Sequence, residues 1–187
     1  GLSNSATAQA RWDDTAPSQI TQLTANEGTT EGEINLTWTA PGDDGMTGTA
    51  KTYTLRYASY SMIESDWNNA TDLTGEPFPP ANPGTLEQMT ISISTGAYYF
   101  AIKTDDDNNN IAVISNSPLS SAKEIKPNAI TSLTATTGTN DGEINLSWSA
   151  PGDDGTTGTA ANYTIKYNTN PINDTFSNSG GGSWLYR

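Results

Sequence analysis

Gly32–Ala50 reads GEINLTWTAPGDDGMTGTA, and within it Ile34, Leu36 and Trp38 alternate with polar residues. In a β-strand every second side chain points to the same face, so this alternation makes one face apolar and the other polar. The Pro-Gly-Asp-Asp-Gly that follows is typical turn chemistry and ends the strand. The stretch therefore predicts a half-buried strand of an antiparallel sheet, followed by a loop.

The same stretch occurs twice in the chain. Gly142–Ala160 reads GEINLSWSAPGDDGTTGTA, and aligning Ile20–Tyr57 with Ile130–Tyr167 at an offset of 110 residues gives 26 identities in 38 positions. This period is too long for one unit of a solenoid, whereas it matches a whole β-sandwich domain. The repeat thus predicts a tandem array of such domains.

Further alternating segments supply the remaining strands of the first copy. They are Tyr53–Tyr57, Met89–Ile93, Tyr98–Ile102 and an apolar run that begins at Ile111–Ile114. Segments rich in Pro, Gly, Asp and Asn separate them, as expected of loops. We predict an all-β domain of seven strands in two packed sheets.

Several of these residues together resemble the fibronectin type III domain, in the form common in secreted bacterial proteins. They are Pro17 before the first strand, Trp38 in the second, Tyr53 and Tyr57 in the third, and Tyr98-x-Phe100-x-Ile102, which resembles the family's tyrosine corner. The resemblance implies a fibronectin type III-like (immunoglobulin-like) sandwich, a non-enzymatic role and an extracellular or cell-surface location. An immunoglobulin domain would contain a cysteine pair between its sheets, and this chain contains no Cys.

We divide the chain into three parts. Residues 16–124 are the complete domain, and residues 126–187 are an incomplete one with strands A to C and a Gly-rich tail, in which Trp184–Tyr186 could form a short strand. Residues 1–12 resemble the segment that starts at Ile114, so they are predicted to be the last strand of a preceding repeat. The alternative is the end of a signal peptide, because residues 8–10 read Ala-Gln-Ala.

Two interpretations of the incomplete copy remain open. In one, the chain is a fragment of a longer repeat array. In the other, subunits assemble by strand exchange, and residues 1–11 of one subunit complete the domain of the next. In both, the expected partners are neighbouring repeats or copies of the same chain.

The charge and composition exclude several classes of function. The chain has 21 Asp and Glu against 8 Lys and Arg, a net charge of −13, and it has neither His nor Cys. A serine–histidine–aspartate relay, a thiol nucleophile and a metal site with His or Cys ligands are therefore excluded. The negative charge opposes nucleic-acid binding, and no apolar run approaches the roughly 20 residues of a membrane helix, so we expect no membrane insertion.

Acidic loops are the strongest candidates for a binding site. In the predicted fold, the loop after the second strand, the loop before the last strand and the segment entering the domain meet at one pole. Their carboxylates are Asp13, Asp14, Asp43, Asp44, Asp105, Asp106 and Asp107. Ca²⁺ takes about six to eight oxygen ligands, so this pole is a possible calcium site and Ca²⁺ the only cofactor we expect. The alternative is solvated turns, because Asp-Gly is ordinary turn chemistry and no EF-hand spacing is present.

The acidic residues do not predict catalysis. A glycosidase needs two carboxyl groups that face each other across a cleft, whereas adjacent acids on a turn point apart. Aromatic residues outside the alternation could instead stack on sugar rings, namely Trp12, Tyr60, Trp67 and Trp184. For Trp67 the alternative is packing over a sheet edge, and for Trp12 it is packing at a domain junction.

The sequence therefore predicts a non-catalytic extracellular segment of a repeat array, structural or adhesive in function. One form of it would be a subunit of a filament or surface fibre that assembles by strand exchange. The alternative is an accessory carbohydrate-binding or spacer module of a secreted hydrolase, with glycans as its partners.

Overall fold

The computed structural model describes residues 13–73 and 78–172 with their side chains, and the backbone of a strand at Ser183–Tyr186. The chain divides into two compact units, residues 1–123 and residues 124–187. Within the described residues, all regular structure is β-strand except for one 3-10 helix at Glu64–Asn69. Residues 1–12, for which a final strand or a signal peptide was predicted, lie outside the described residues.

The described residues of the first unit form seven antiparallel strands in two sheets. The strands are β1 (Thr24–Glu27), β2 (Glu33–Thr39), β3 (Thr52–Ala58), β4 (Thr71–Asp72), β5 (Leu86–Ser92), β6 (Gly96–Asp105) and β7 (Leu119–Ala122). One sheet has the order β1–β2–β5 and the other the order β4–β3–β6–β7. This is a fibronectin type III-like β-sandwich, so the predicted fold class is confirmed.

The core of the first unit consists mainly of the side chains that the period-two alternation placed on one face, joined by Ile20 and Leu23 from the entering segment. Ile34, Leu36 and Trp38 of β2 are fully buried, and Phe100 and Ile102 of β6 cover them from the opposite sheet. Burial of apolar surface contributes about 25 cal/mol per Å², so large side chains such as these dominate the stability of the sandwich. The pattern that predicts the strands thus also selects the core.

The last strand of this unit lies later in the chain than predicted. Ile111–Ile114 forms no regular strand: Ile111 makes an isolated antiparallel bridge with Asp105, and the last regular strand among the described residues is β7. The reason lies at Ser115, whose N–H donates to the Ile102 carbonyl at 3.1 Å while its hydroxyl oxygen accepts from the Ile102 N–H at 3.0 Å. Because this side chain replaces a backbone carbonyl, and Pro118 has no N–H to donate, the regular ladder begins only after Pro118.

The second unit contains two pairs of antiparallel strands among its described residues. They are β8 (Thr134–Thr137) with β9 (Ile144–Ser147), and β10 (Tyr163–Lys166) with β11 (Ser183–Tyr186). The short strand predicted at Trp184–Tyr186 is confirmed as β11. Its side chains lie outside the described part of the chain.

Candidate functional site

The entering segment of the first unit is bonded directly to the loop that follows β2. The Ser18 N–H donates to the Gly45 carbonyl at 3.0 Å, and the Gly45 N–H donates to the Ala16 carbonyl at 3.1 Å. These two bonds hold residues 16–18 against the Asp-Asp-Gly turn. As a result Asp13, which precedes the segment, and Asp43, in the loop, come to the same pole.

The connection after β6 is shaped by one buried carboxylate. Asp106 is fully buried. Its Oδ1 accepts from the backbone N–H groups of Asn108 at 2.9 Å and Asn110 at 2.7 Å, and its Oδ2 accepts from Asn110 Nδ2 at 2.6 Å. Bonds to a charged acceptor are stronger than neutral ones, so Asp106 acts as the internal anchor of this turn.

The same turn reaches across to the entering segment. Asn108 Nδ2 donates to Asp13 Oδ2 at 3.0 Å and to Asp107 Oδ1 at 3.0 Å. Asn110 Nδ2 donates to the backbone carbonyl of Asp13 at 3.2 Å. Three segments that are far apart in sequence are therefore tied together at one point.

The carboxylates of Asp13, Asp43 and Asp107 form a cluster at this point. One oxygen of each lies within 4.8 Å of the others. Oδ1 of Asp43 is buried, and none of the described residues donates a hydrogen bond to it. A buried carboxylate oxygen without a hydrogen-bond donor costs free energy. A cation bound at this oxygen would remove that cost.

The pKa values in the cluster respond to this crowding. Burial, followed by the negative charges of Asp107, Asp106 and Asp13, raises the pKa of Asp43. Burial and a hydrogen bond with Asp13 raise the pKa of Asp44. The hydrogen bond from Asn108 lowers the pKa of Asp13. Asp43 therefore favours uptake of positive charge, as either a proton or a metal ion.

The other predicted ligands have different roles. Asp44 lies beside Asp13, and the oxygens of Asp106 are occupied by Asn108 and Asn110. Asp14 is exposed, and Asp105 belongs to the end of β6, where burial raises its pKa. The seven predicted carboxylates therefore reduce to three that present oxygens to a common point.

The second unit repeats the backbone arrangement without the acidic cluster. The Asn128 N–H donates to the Gly155 carbonyl at 3.1 Å, and the Gly155 N–H donates to the Lys126 carbonyl at 3.0 Å. The position that matches Asp13 at the repeat offset is Lys123. Among the described residues of this unit, no three acidic groups come together.

Trp67, a candidate for sugar stacking, is partly buried and packs against a buried cluster made of Ala58, Met62, Ala101 and Ile114. The Arg56 guanidinium lies 4.8 Å from its ring centroid and the Lys103 ammonium 5.2 Å away. The arrangement is the edge packing that was predicted as the alternative for this residue. Trp12 and Trp184, as side chains, lie outside the described residues.

Glu87 on β5 is an important residue that sequence reasoning missed. Its Oε2 accepts from Trp38 Nε1 at 3.1 Å and from the Tyr53 hydroxyl at 2.5 Å, and its Oε1 accepts from the Ala81 N–H at 3.0 Å. Both aromatic residues were interpreted only as apolar core. A signal was nevertheless available, because a buried Trp and a buried Tyr each bring a polar group that needs a partner.

Known proteins resemble this chain only over part of its length or at low sequence identity. No protein-family model matches the chain. Over 107 residues the chain is 32% identical to calcium-activated chloride channel regulator 3A-1 of Mus musculus, which covers 54% of this chain and 12% of that protein. The chain thus spans only a small part of the length of this curated relative.

Two solved structures resemble the chain. A Fn3-like protein from Clostridium thermocellum is 17% identical with a TM-score of 0.39, over 60% of this chain and 99% of the other. The chicken CNTN1 FN1–FN3 domains are 12% identical with a TM-score of 0.42, over 91% of this chain and 54% of the other. Because both TM-scores are below 0.5, the fold assignment depends on the strand order of the chain itself and not on these two structures. None of the described residues forms a helix with the length and apolarity that crossing a bilayer requires.

Proposed function

We propose that the chain is a non-catalytic structural segment of an extracellular array of fibronectin type III-like domains, stiffened by a divalent cation in its first unit. The cation would bind Asp13, Asp43 and Asp107. The observation that carries this proposal is their convergence around the buried, unpartnered Oδ1 of Asp43. A bound ion would cross-link the entering segment to two loops that lie far away in sequence.

Ca²⁺ is the ion that the chemistry of the site favours. All donors at the cluster are oxygens, and the chain contains no His or Cys that would select zinc or copper. Three carboxylates supply up to about six oxygens when they bind in bidentate fashion, and water and backbone carbonyls complete the usual shell of about six to eight. The exposure of Asp107 leaves a path by which the ion and its water can enter.

The 110-residue repeat supports the proposal that the chain belongs to an array of similar domains. Both units hold their entering segments by the same pair of backbone hydrogen bonds to the Asp-Asp-Gly turn, at Gly45 and at Gly155. Each unit is therefore built to fix the chain that enters it, which a spacer, stalk or fibre requires. The exposed apolar residues of the second unit support assembly with further chains by addition of a strand, with copies of the same chain among the partners.

The test of the cation site is differential scanning calorimetry of the full chain. Metal is first removed with a chelator, and the melting temperature is then measured at increasing Ca²⁺ concentrations. An extracellular-type site with a Kd near 1 mM gives about 1.4 kcal/mol of stabilisation at roughly 10 mM Ca²⁺. The melting temperature of the first unit should then rise by roughly 5–10 °C. No rise at this concentration would overturn the proposal.

Two variants separate a specific site from a general effect of salt. Asp43→Asn should abolish the response to Ca²⁺ and, because it removes a negative charge that lies close to those of Asp13 and Asp107, should raise the melting temperature of the metal-free protein. The matched control is Asp153→Asn, which changes the same turn in the second unit and should leave the response intact. Loss of the response in both variants, or in neither, would contradict a site at Asp43.

A further inference from the structure

A cavity on the outer face of the four-stranded sheet brings charged, polar and aromatic side chains of the first unit together. Its volume is about 330 Å³, and its lining contains two cations, two acids, a hydroxyl, an amide and a tryptophan ring. The volume lies at the lower end of the roughly 300–1,000 Å³ of small-molecule sites, so the cavity suits a ligand of one or two rings. None of the proposed cation ligands Asp13, Asp43 and Asp107 lines this cavity.

The strands β3 and β6 supply the sheet side of the cavity through the same period-two alternation that builds the core. Thr54 and Lys103 are direct partners in the antiparallel register, and Arg56 and Asp105 lie two residues further along their strands. The residue between the two members of each strand is buried in the interior of the sandwich. Because side chains alternate between the two faces of a strand, these four lining residues belong to the outer face.

The 3-10 helix supplies the other side of the cavity. The Arg56 guanidinium and the Lys103 ammonium both lie close to the Trp67 ring of this helix. Glu64 and Asn68 of the same helix also line the cavity. The helix thus adds an aromatic ring, a carboxylate and an amide to the groups on the sheet.

The two cations keep hydrogen-bonding capacity in reserve. The Lys103 side chain is only 10% exposed, and among the described residues its ammonium forms one hydrogen bond, to Glu64. Arg56 donates through Nε to Asp72 and through Nη1 to the backbone carbonyl of Trp67. An ammonium carries three N–H groups and a guanidinium five, so donors remain on both side chains.

The other polar groups make the cavity neutral and able both to donate and to accept. The two cations are balanced by the carboxylates of Glu64 and Asp105. The Thr54 hydroxyl and the Asn68 side-chain amide form no hydrogen bond with any described residue. A ligand with a net charge would meet repulsion as well as attraction here, whereas a hydroxyl group both donates and accepts. The chemistry of the lining therefore favours a neutral ligand with several hydroxyl groups.

We infer that this cavity binds a neutral sugar of one or two rings. The apolar C–H groups of the sugar contact the Trp67 ring, and its hydroxyl groups bond to the cations and carboxylates of the lining and to Asn68. The edge packing of Trp67 holds the indole in place before the ligand arrives, so little conformational entropy is lost on binding. Trp67 thus both covers the sheet edge and contacts the ligand. The inference goes beyond the proposed function and depends on neither its cation site nor its assembly.

The probes are the neutral disaccharides cellobiose, maltose and di-N-acetylchitobiose, and the anionic digalacturonate. Each is titrated against the full chain in a chelator-containing buffer, and binding is followed by saturation-transfer difference NMR of the sugar protons. At least one neutral disaccharide should bind saturably, and digalacturonate should bind more weakly than that sugar. Equal or tighter binding of digalacturonate would overturn the inference, as would the absence of saturable binding by all three neutral sugars.

Asn68→Ala tests the polar contacts of the cavity. Asn68 is exposed, so its replacement should leave the melting temperature unchanged, and the loss of one hydrogen bond should weaken sugar binding about three- to tenfold. Trp67→Leu keeps an apolar side chain over the sheet edge and should weaken binding at least about tenfold. The melting temperature of each variant checks its fold, and Asn68→Ala decides the case if Trp67→Leu is unfolded.

The matched control is Tyr60→Ala, which removes an exposed aromatic side chain that does not line the cavity. This variant should bind the sugar as tightly as the unchanged chain. Unchanged affinity of Asn68→Ala, or an equal loss in Tyr60→Ala, would overturn the inference.

The response to Ca²⁺ separates this inference from the proposed function. Absence of sugar binding in a chain that Ca²⁺ stabilises would overturn the inference alone. Sugar binding by a chain that does not respond to Ca²⁺ would support the inference and overturn the cation site alone.

Discussion

Removal of the buried carboxylate Asp106 should unfold the acidic pole and destabilise the whole first unit. The side chain receives three hydrogen bonds, two from backbone N–H groups and one from Asn110 Nδ2. A bond to a charged acceptor contributes about 1.5–3 kcal/mol to stability. Asn108 is exposed and Asn110 partly exposed, so water can replace some of what is lost.

For Asp106→Ala we therefore expect a loss of about 3 kcal/mol in the free energy of unfolding, well below the simple sum of the three bonds. For a domain of this size, such a loss corresponds to a fall in melting temperature of roughly 12–24 °C. The free energy is measured by urea unfolding, monitored by circular dichroism in a chelator-containing buffer, so that bound metal does not contribute.

Asp107→Asn is the matched control at the neighbouring position. Asp107 is exposed, and its described side-chain hydrogen bond is to Asn108 Nδ2. Its replacement should change the free energy of unfolding by less than about 0.5 kcal/mol in the absence of metal. A loss below about 1 kcal/mol for Asp106→Ala, or equal losses for the two variants, would refute the assignment of Asp106 as the anchor of the turn.

Two further predictions concern the ion pair at the 3-10 helix and the turn before β2. Glu64 pairs with Lys103, whose hydrogen bond, together with that from the Ile114 N–H, lowers the pKa of Glu64. Its stabilisation is present above the usual pKa of a glutamate and is lost as the pH falls through the lowered value, so Glu64→Gln should cost up to about 1 kcal/mol at pH 7 and progressively less in urea melts as the pH falls below about 4. A cost independent of pH would contradict this. Gly32→Ala should cost about 2 kcal/mol or more by calorimetry, because φ is +70° and a Cβ would lie 2.4 Å from the Ile93 carbonyl oxygen, whereas the matched Gly142→Ala, with φ of +77° and open space, should cost about 1 kcal/mol; equal costs would show that the contact with Ile93 is unimportant.

Much of the fold could be predicted from short-range patterns. The alternation around Ile34, Leu36 and Trp38 identified a strand and its buried face, because side-chain direction in a strand is a local property with a period of two. The position of β7 could not be predicted in this way. Ser115 replaces a backbone acceptor with its side chain, and an apolar run does not reveal such a substitution.

The candidate site was predicted only in outline. The acidic loops could be recognised as neighbours once a sandwich was assumed, but not which carboxylates meet. Asp106 and Asp107 are adjacent in sequence, yet one is buried and satisfied by its own turn while the other points toward Asp13 and Asp43. Glu87 was overlooked because its partners lie on other strands, 34 and 49 residues away.

The sequence by itself determined most of the strands, their apolar faces, the 110-residue repeat and the acidic composition, because each of these is encoded in residue type and short spacing. Only the tertiary structure decided which acids share a point and which stretches of identical sequence are covered. Ile34 and Ile144 occupy equivalent positions in the repeat, and one is buried while the other is exposed. Burial depends on what packs against a strand, and that depends on segments far away in the chain or on another molecule.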